Sequence, residues 1–334
     1  MRGMRWRVVD SIEDLDAEHW DALAGAEVMM THRWQRVMEA SRVAYRPRYL
    51  LAEDDRGPLV AIVADASPSF GRSGWRNLVL RRLTLIVGAP YSSRHCGISL
   101  RSDASMHCVD RLLRDLSWSE RRPLLGVANV HAADLSAWSV RRFHPRPQPP
   151  NMVLDLLSPS YDHYLERLAG RDRHELRRAR RRACASDVSI REMSLDGSAL
   201  DLYPLLAEVA GRHRSVVFSP ELFPALAREL HGQVVVLSAA VGGQHAGFFL
   251  CLRQGDALLA IVTGLRYALA YPSSLYFVLM DELIRWSLEH GIQRIHAGLS
   301  NEVQKQRHGF RPQARWLCVR AYPHPFNRLL SRPR

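Results

Sequence analysis

The segment from 233 to 263 constrains the fold more than any other: QVVVLSAA, AGFFLCL and ALLAIVT are short apolar runs separated by the turn residues VGGQ and RQGD. Apolar runs of this length, cut by glycine-containing turns, read as a three-strand antiparallel meander. A loop, GLRYALAYPSS, then leads into an amphipathic helix from about Ser274 to His290, with Leu275, Leu279, Leu283 and Trp286 on one face and Gly291 placed to end it. A short strand IQRIHAG, a short helix around 301–308 and a last strand ARWLCVRAYP complete this half.

The first half repeats that order of elements without repeating its residues. PRYLLAE and PLVAIVA flank the turn DDRG as a hairpin, and NLVLRRLTLIVG (77–88) reads as a third strand. A GAPYSSRHCG loop, a helix over 105–118, a strand PLLGVAN and a helix near 131–140 follow. Between the halves PRPQPP (145–150) cannot hold a helix and separates two modules, 1–150 and 151–334. The 334 residues, 47% of them hydrophobic, suit two packed domains. The fold class expected is α/β (α+β), each module a mixed, mostly antiparallel sheet flanked by helices.

No apolar run reaches the roughly 18–20 residues that a membrane crossing needs, and no secretory leader is evident. Five scattered cysteines, never in a CxxC pair, offer neither a disulfide framework nor a zinc site, which points to a reducing, cytoplasmic setting. The histidines have no HxH or HExxH spacing, so no metal is expected. GxSxG, GxGxxG and GxxxxGK[ST] are absent, which sets aside serine-hydrolase, dinucleotide and P-loop chemistry.

A net charge of +12 invites an anionic partner. Forty-five of the 46 basic residues are arginine, and the single lysine is Lys305. An ammonium is compact and shifts its pKa when desolvated, which suits charge stabilisation at an oxyanion or phosphate; an ordinary solvated lysine is the alternative. At Tyr271-Pro272-Ser273-Ser274, free amides and hydroxyls gather at a helix start, a place that takes phosphate but also one that any helix cap resembles. The helix GRDRHELRRARRRA carries seven arginines, with Leu176, Ala179 and Ala183 inward and Arg173, Arg177, Arg180 and Arg181 on an outer face. That stripe suits a polyanion, or a solvated surface; the segment lacks aromatics, so base stacking is not indicated.

These features together resemble the GNAT acyltransferases, and within them the tandem-GNAT branch related to the Fem peptidyltransferases and the BioF2-like acetyltransferase domain. The resemblance is carried by PSSLY, HGIQRIHAG, the 298–305 stretch ending in lysine, Gly309-Phe310 and the basic helix YLERLAGRDRHELRRARRR. It implies transfer of an acyl or aminoacyl group to a small amine or peptide acceptor. Lys305 matches the Fem-type lysine, with His296 or Glu302 as candidate bases; Ser273, Ser274, Tyr271 and Arg266 would hold the donor. Arg173, Arg177, Arg181, Arg212, Arg214, Asn301 and Arg307 would hold substrate or tRNA. The stretch RYALAYPSS contains no glycine where GNAT enzymes carry their [RQ]xxGx[GA] pyrophosphate loop. Tyr267, Leu269 and Tyr271 would crowd coenzyme A there. Aminoacyl-tRNA is therefore expected as donor ahead of acyl-CoA or a carrier-protein thioester, with no tightly bound cofactor; a non-catalytic RNA-binding relative is the remaining alternative.

Overall fold

A computed structural model describes residues 3–68, 75–195, 201–213, 218–322, 327, 328 and 330. The chain divides into two units, one of residues 1–149 together with Ala314–Arg334, the other Pro150–Gln313.

The first unit runs β1 (Arg5–Val9), α1 (Ala17–Ala24), α2 (His32–Ser41), β2 (Pro47–Asp54), β3 (Gly57–Asp65), α3 (Trp75–Leu83), β4 (Thr84–Val87), β5 (Ile98–Leu100), α4 (Met106–Ser119), β6 (Leu124–Val130) and α5 (Leu135–Val140). The strand β7 (His144–Asp155) spans the boundary. The second unit continues with α6 (Tyr161–Arg167), α7 (Gly170–Ala185), β8 (Val188–Met193), α8 (Tyr203–His213), α9 (Leu222–Glu229), β9 (Val234–Val241), β10 (Gln244–Gln254), β11 (Ala257–Leu265), α10 (Tyr267–Ala270), α11 (Leu275–Glu289), β12 (Arg294–His296) and α12 (Glu302–Arg307). A last strand, β13 (Arg311–Ala321), returns to the first unit from Ala314 onward.

Each unit contains the same sheet. In the first the order is β1-β2-β3-β4-β6-β13, antiparallel except for the parallel pair β4 and β6, with β5 on the free part of β3. In the second it is β8-β9-β10-β11-β12-β7, antiparallel except for the parallel pair β11 and β12. The meander of the sequence is β9, β10 and β11. Its first turn uses Gly242 and Gly243 at φ 55° and 78°, the positive values a two-residue hairpin requires. In each unit the sheet closes a core with its helices. α4, capped by the Ser105 side chain accepting from the Cys108 amide, buries Val109, Leu112, Leu113 and Leu116 in the first. α11 buries Leu275, Leu279, Leu283 and Trp286 in the second.

Two readings of the sequence need correction and one is extended. The run 77–88 is not one strand: Thr84 pairs with Leu124, the first residue of β6, so nothing upstream has a parallel partner and the leucine- and arginine-rich residues wind into α3 instead. The proline-rich 145–150 segment holds no helix and marks the boundary between the units, as expected, but it does so as extended strand, part of β7, with the Gln148 side chain accepting from the Asn129 amide. Prolines fix the extended backbone and forgo ladder donors, which a strand end tolerates. Grouping residues 151–334 together also fails at its end, because Cys318 to Ala321 pair with β6. Among the described residues no helix is long and apolar enough to cross a membrane.

Candidate active site

The second unit opens where its two parallel strands part. β11 and β12 share register only from Ala257↔Arg294 to Leu259↔His296, after which β11 runs on to Leu265. Ligands in α/β folds enter where the carboxyl ends of parallel strands diverge. A cavity of about 340 Å³ lies there, bounded by α7, α12, the end of β11 and the α10–α11 turn. Its walls carry Arg178, Arg182 and Arg307 against one carboxylate, Glu175.

Local sequence shapes the mouth. After Leu265 the chain makes one helical turn, α10, and reaches Ser274 in the left-handed region, φ 56°. That kink sends the two serines opposite ways. Ser273 is fully buried and its hydroxyl donates to the Leu269 carbonyl at 2.7 Å, whereas Ser274 faces the cavity and accepts from Arg182 at 3.5 Å. The Ser274 side chain makes no cap hydrogen bond, and the Phe277 and Val278 amides donate to the Ser274 carbonyl, so of the first amides of the 15-residue α11 those of Leu275 and Tyr276 are left open. Tyr267 and Tyr271 line the mouth, with Arg212 stacked over both rings. His213 Nε2 lies 2.8 Å from the Tyr267 hydroxyl. Burial raises the pKa of the Tyr267 phenol, and it pushes that of Tyr276, deeper in the wall, to about 12.

α7 is held in place by a buried ion pair. Asp281 on α11 accepts from Arg180 at 2.5 Å and from the Tyr161 hydroxyl at 2.5 Å, and its side chain is 2% exposed. Arg180 is therefore an anchor rather than the outward residue of the sequence reading. The anchor turns Arg178 and Arg182, which stand to either side of it in the helix, toward the cavity.

Of the residues singled out from sequence, Tyr271, Ser274, Asn301 and Arg307 line the cavity. Arg212 stands at its mouth on the tyrosines. Arg266 is exposed at the start of α10, and Ser273 lies beneath the surface. Arg177 and Arg181 are exposed on α7 away from the lining, and Arg173 bonds the Glu166 carbonyl. Arg214 lies outside the described residues.

Lys305 is buried to 2% exposure, its Nζ donating to the carbonyls of Ala297 at 2.5 Å and Gly298 at 3.5 Å. Burial lowers its pKa to about 8, against the opposing pull of Glu302. His296 is half-buried, its Nδ1 3.0 Å from the Asn151 amide nitrogen, and Glu302 sits half-buried in the first turn of α12. None of these three lines the cavity. Sequence reasoning missed Glu175, Arg178, Arg182 and His213. The signal was there for the arginines, since positions 178 and 182 adjoin the inward Ala179 and Ala183.

Residues 170–306, which include every residue lining this cavity except Arg307, match the Acetyltransferase (GNAT) domain family. This stretch is a GNAT acyltransferase domain. Solved structures extend the likeness beyond the GNAT domain to the whole chain. FemX is 9% identical and superposes with a TM-score of 0.59, covering 98% of this chain and 100% of its own. L-PGS from Bacillus licheniformis is 14% identical, TM-score 0.58, covering 95% and 98%. A tandem GNAT protein from the clavulanic acid biosynthesis pathway is 12% identical, TM-score 0.54, covering 95% and 98%. At such identities the likeness is one of fold, and the fold is that of a tandem GNAT protein. Among curated protein sequences no relative matches the chain.

Proposed function

We propose that this acyltransferase moves an aminoacyl group from aminoacyl-tRNA to an amine of a small molecule or peptide. The observation that carries the reading is the cationic wall: Arg178 and Arg182 line the GNAT cavity, and the same helix continues outward through the exposed Arg177 and Arg181. A small thioester donor needs the inner arginines alone, whereas a polynucleotide uses both faces. The likeness to FemX and L-PGS agrees with this donor class.

In the reaction the acceptor amine, neutral, attacks the ester carbonyl of the aminoacyl group. The carbon–nitrogen bond forms, the bond to the terminal ribose oxygen breaks, and that oxygen takes up a proton. Arg178, Arg182 and Arg307 neutralise donor phosphate, and the open amides of α11 hold one phosphate or the developing oxyanion. Glu175 and His213, the groups in the lining able to take a proton from the amine, replace His296 and Glu302 as candidate bases. Lys305 serves by holding the turn that presents Asn301, Gln304 and Arg307 to the cavity.

The second reading, an acyl-CoA or carrier-protein donor, draws on the uncapped start of α11, which is able to take a phosphate of coenzyme A. Offering charged tRNA and acetyl-CoA separately to the protein with a panel of amines divides the two. Amide product that ribonuclease abolishes supports aminoacyl-tRNA; product that needs acetyl-CoA and survives ribonuclease overturns it.

A further inference from the structure

The mouth of the cavity carries an aromatic surface that acyl transfer by itself does not need. Tyr267 and Tyr271 have ring centroids 5.2 Å apart and planes inclined by 32°. The guanidinium of Arg212 lies 4.5 Å from the centre of the first ring and 5.2 Å from that of the second. Tyr267 is fixed from three sides: its hydroxyl meets His213, its amide donates to Glu208 at 2.8 Å, and its ring carries the cation. Tyr271 is 62% exposed, a large aromatic area presented to solvent beside the Tyr267 ring and the Arg212 guanidinium. An aromatic ring held by a neighbour on one side and open on the other is what a base stacks on, and a nearby guanidinium strengthens the stack. Arg178 and Arg182 stand in the same cavity, placed for the phosphates that accompany a base.

We propose that Tyr271, backed by Tyr267 and Arg212, is a stacking platform for the unpaired adenine of the donor. This rests on the reading of the cavity as the donor site, and it adds the recognition of a base to the neutralisation of phosphate. The aromatics absent from α7 are supplied here by the α10 turn, about ninety residues later in the chain. The chemistry recognised is a phosphorylated adenosine, present both at the 3′ end of a tRNA and in coenzyme A.

Four probes test it by fluorescence titration: a short RNA ending in CCA, the same RNA with an abasic 3′ residue, coenzyme A and inorganic pyrophosphate. Tyr271→Leu is expected to weaken the adenine-bearing donor by about 5- to 150-fold, the range for losing one base stack. It should leave the abasic RNA and pyrophosphate unchanged, and Tyr271→Trp should keep wild-type affinity. Loss confined to the RNA identifies tRNA as the source of the adenine, and loss confined to coenzyme A identifies the thioester. If Tyr271→Leu binds both adenine probes as wild type does, the platform is wrong while the donor site stands. If the wild type binds none of the four, both readings fall.

Discussion

Lys305 is a cation placed where water cannot reach it, and its cost should be visible in the pH dependence of stability. Burial takes the lysine from 10.5 to about 8 in the folded chain, Glu302 opposing. A folded pKa below the unfolded one means that unfolding takes up a proton between the two values, so stability rises with pH across that window. The penalty is fully present below about pH 8 and is relieved by 10.5. At about 1.4 kcal/mol for each pH unit, that gap is worth about 3 kcal/mol. Burial raises the pKa of Tyr45 and Tyr49, which pulls stability down at high pH, but those groups are common to the wild type and Lys305→Met and cancel in the difference.

Urea unfolding of the two proteins at a series of pH values from 7 to 10 is therefore expected to show the wild type gaining about 2–3 kcal/mol on the variant as pH rises. Parallel stability curves would refute the argument from burial. The same variant separates two roles: removing an oxyanion donor slows the chemical step by about 100-fold or more. A positioning lysine held by two carbonyls leaves the single-turnover rate at saturating donor within about tenfold of wild type.

Asp281→Asn strips the countercharge from Arg180 and should cost about 2–3 kcal/mol, less than for a fully buried pair because Arg180 is 35% exposed; chemical denaturation measures it, and a change under 0.5 kcal/mol, roughly the noise for a surface site, contradicts the anchor. Gly264→Ala would place a Cβ 2.1 Å from the ring of Phe248, which is fully buried, and should lower the melting temperature through about 1–3 kcal/mol of overpacking; an unchanged melting temperature contradicts the close approach. Replacing Arg178 and Arg182 by Gln should reduce the salt slope of tRNA binding by roughly one for each phosphate that is no longer neutralised. The outer pair Arg177 and Arg181, measured in the same titration, should lower it as well, since a polynucleotide uses both faces of α7; a slope left unchanged by losing Arg178 and Arg182 would detach the cavity from the nucleic acid.

What was legible in the sequence follows the range of the interactions involved. The β9–β10–β11 meander was readable because its turns are made by adjacent residues, Gly242, Gly243 and Gly255, all at positive φ. The inner stripe of α7 was readable for the same reason: Leu176, Ala179 and Ala183 are buried as their spacing requires. The outer side of that helix was not. Arg180 turns inward because of Asp281, a hundred residues on, and no helical wheel contains Asp281. α3 was misread because its conformation depends on where β6 begins, which is a fact about a partner strand. In the candidate site the hydroxyls of Ser273 and Ser274 look alike in sequence, and a single left-handed residue sends one into the core and the other to the cavity. Lys305 was conspicuous by type, but only the fold shows its charge spent on two main-chain carbonyls.

The pairing of β13 with β6 also sets an order of events during synthesis. Cys318 to Ala321 join Val127 to Leu124 across about 190 residues of intervening chain. The first unit therefore emerges from the ribosome with one edge of β6 open, and it keeps that edge through the whole time the second unit is made. An open strand edge invites wrong partners, and contacts this distant in sequence form slowly. The second unit, whose strand pairs from β8 to β7 all lie between 153 and 296, has no such wait. The part of the chain translated first is thus the part completed last.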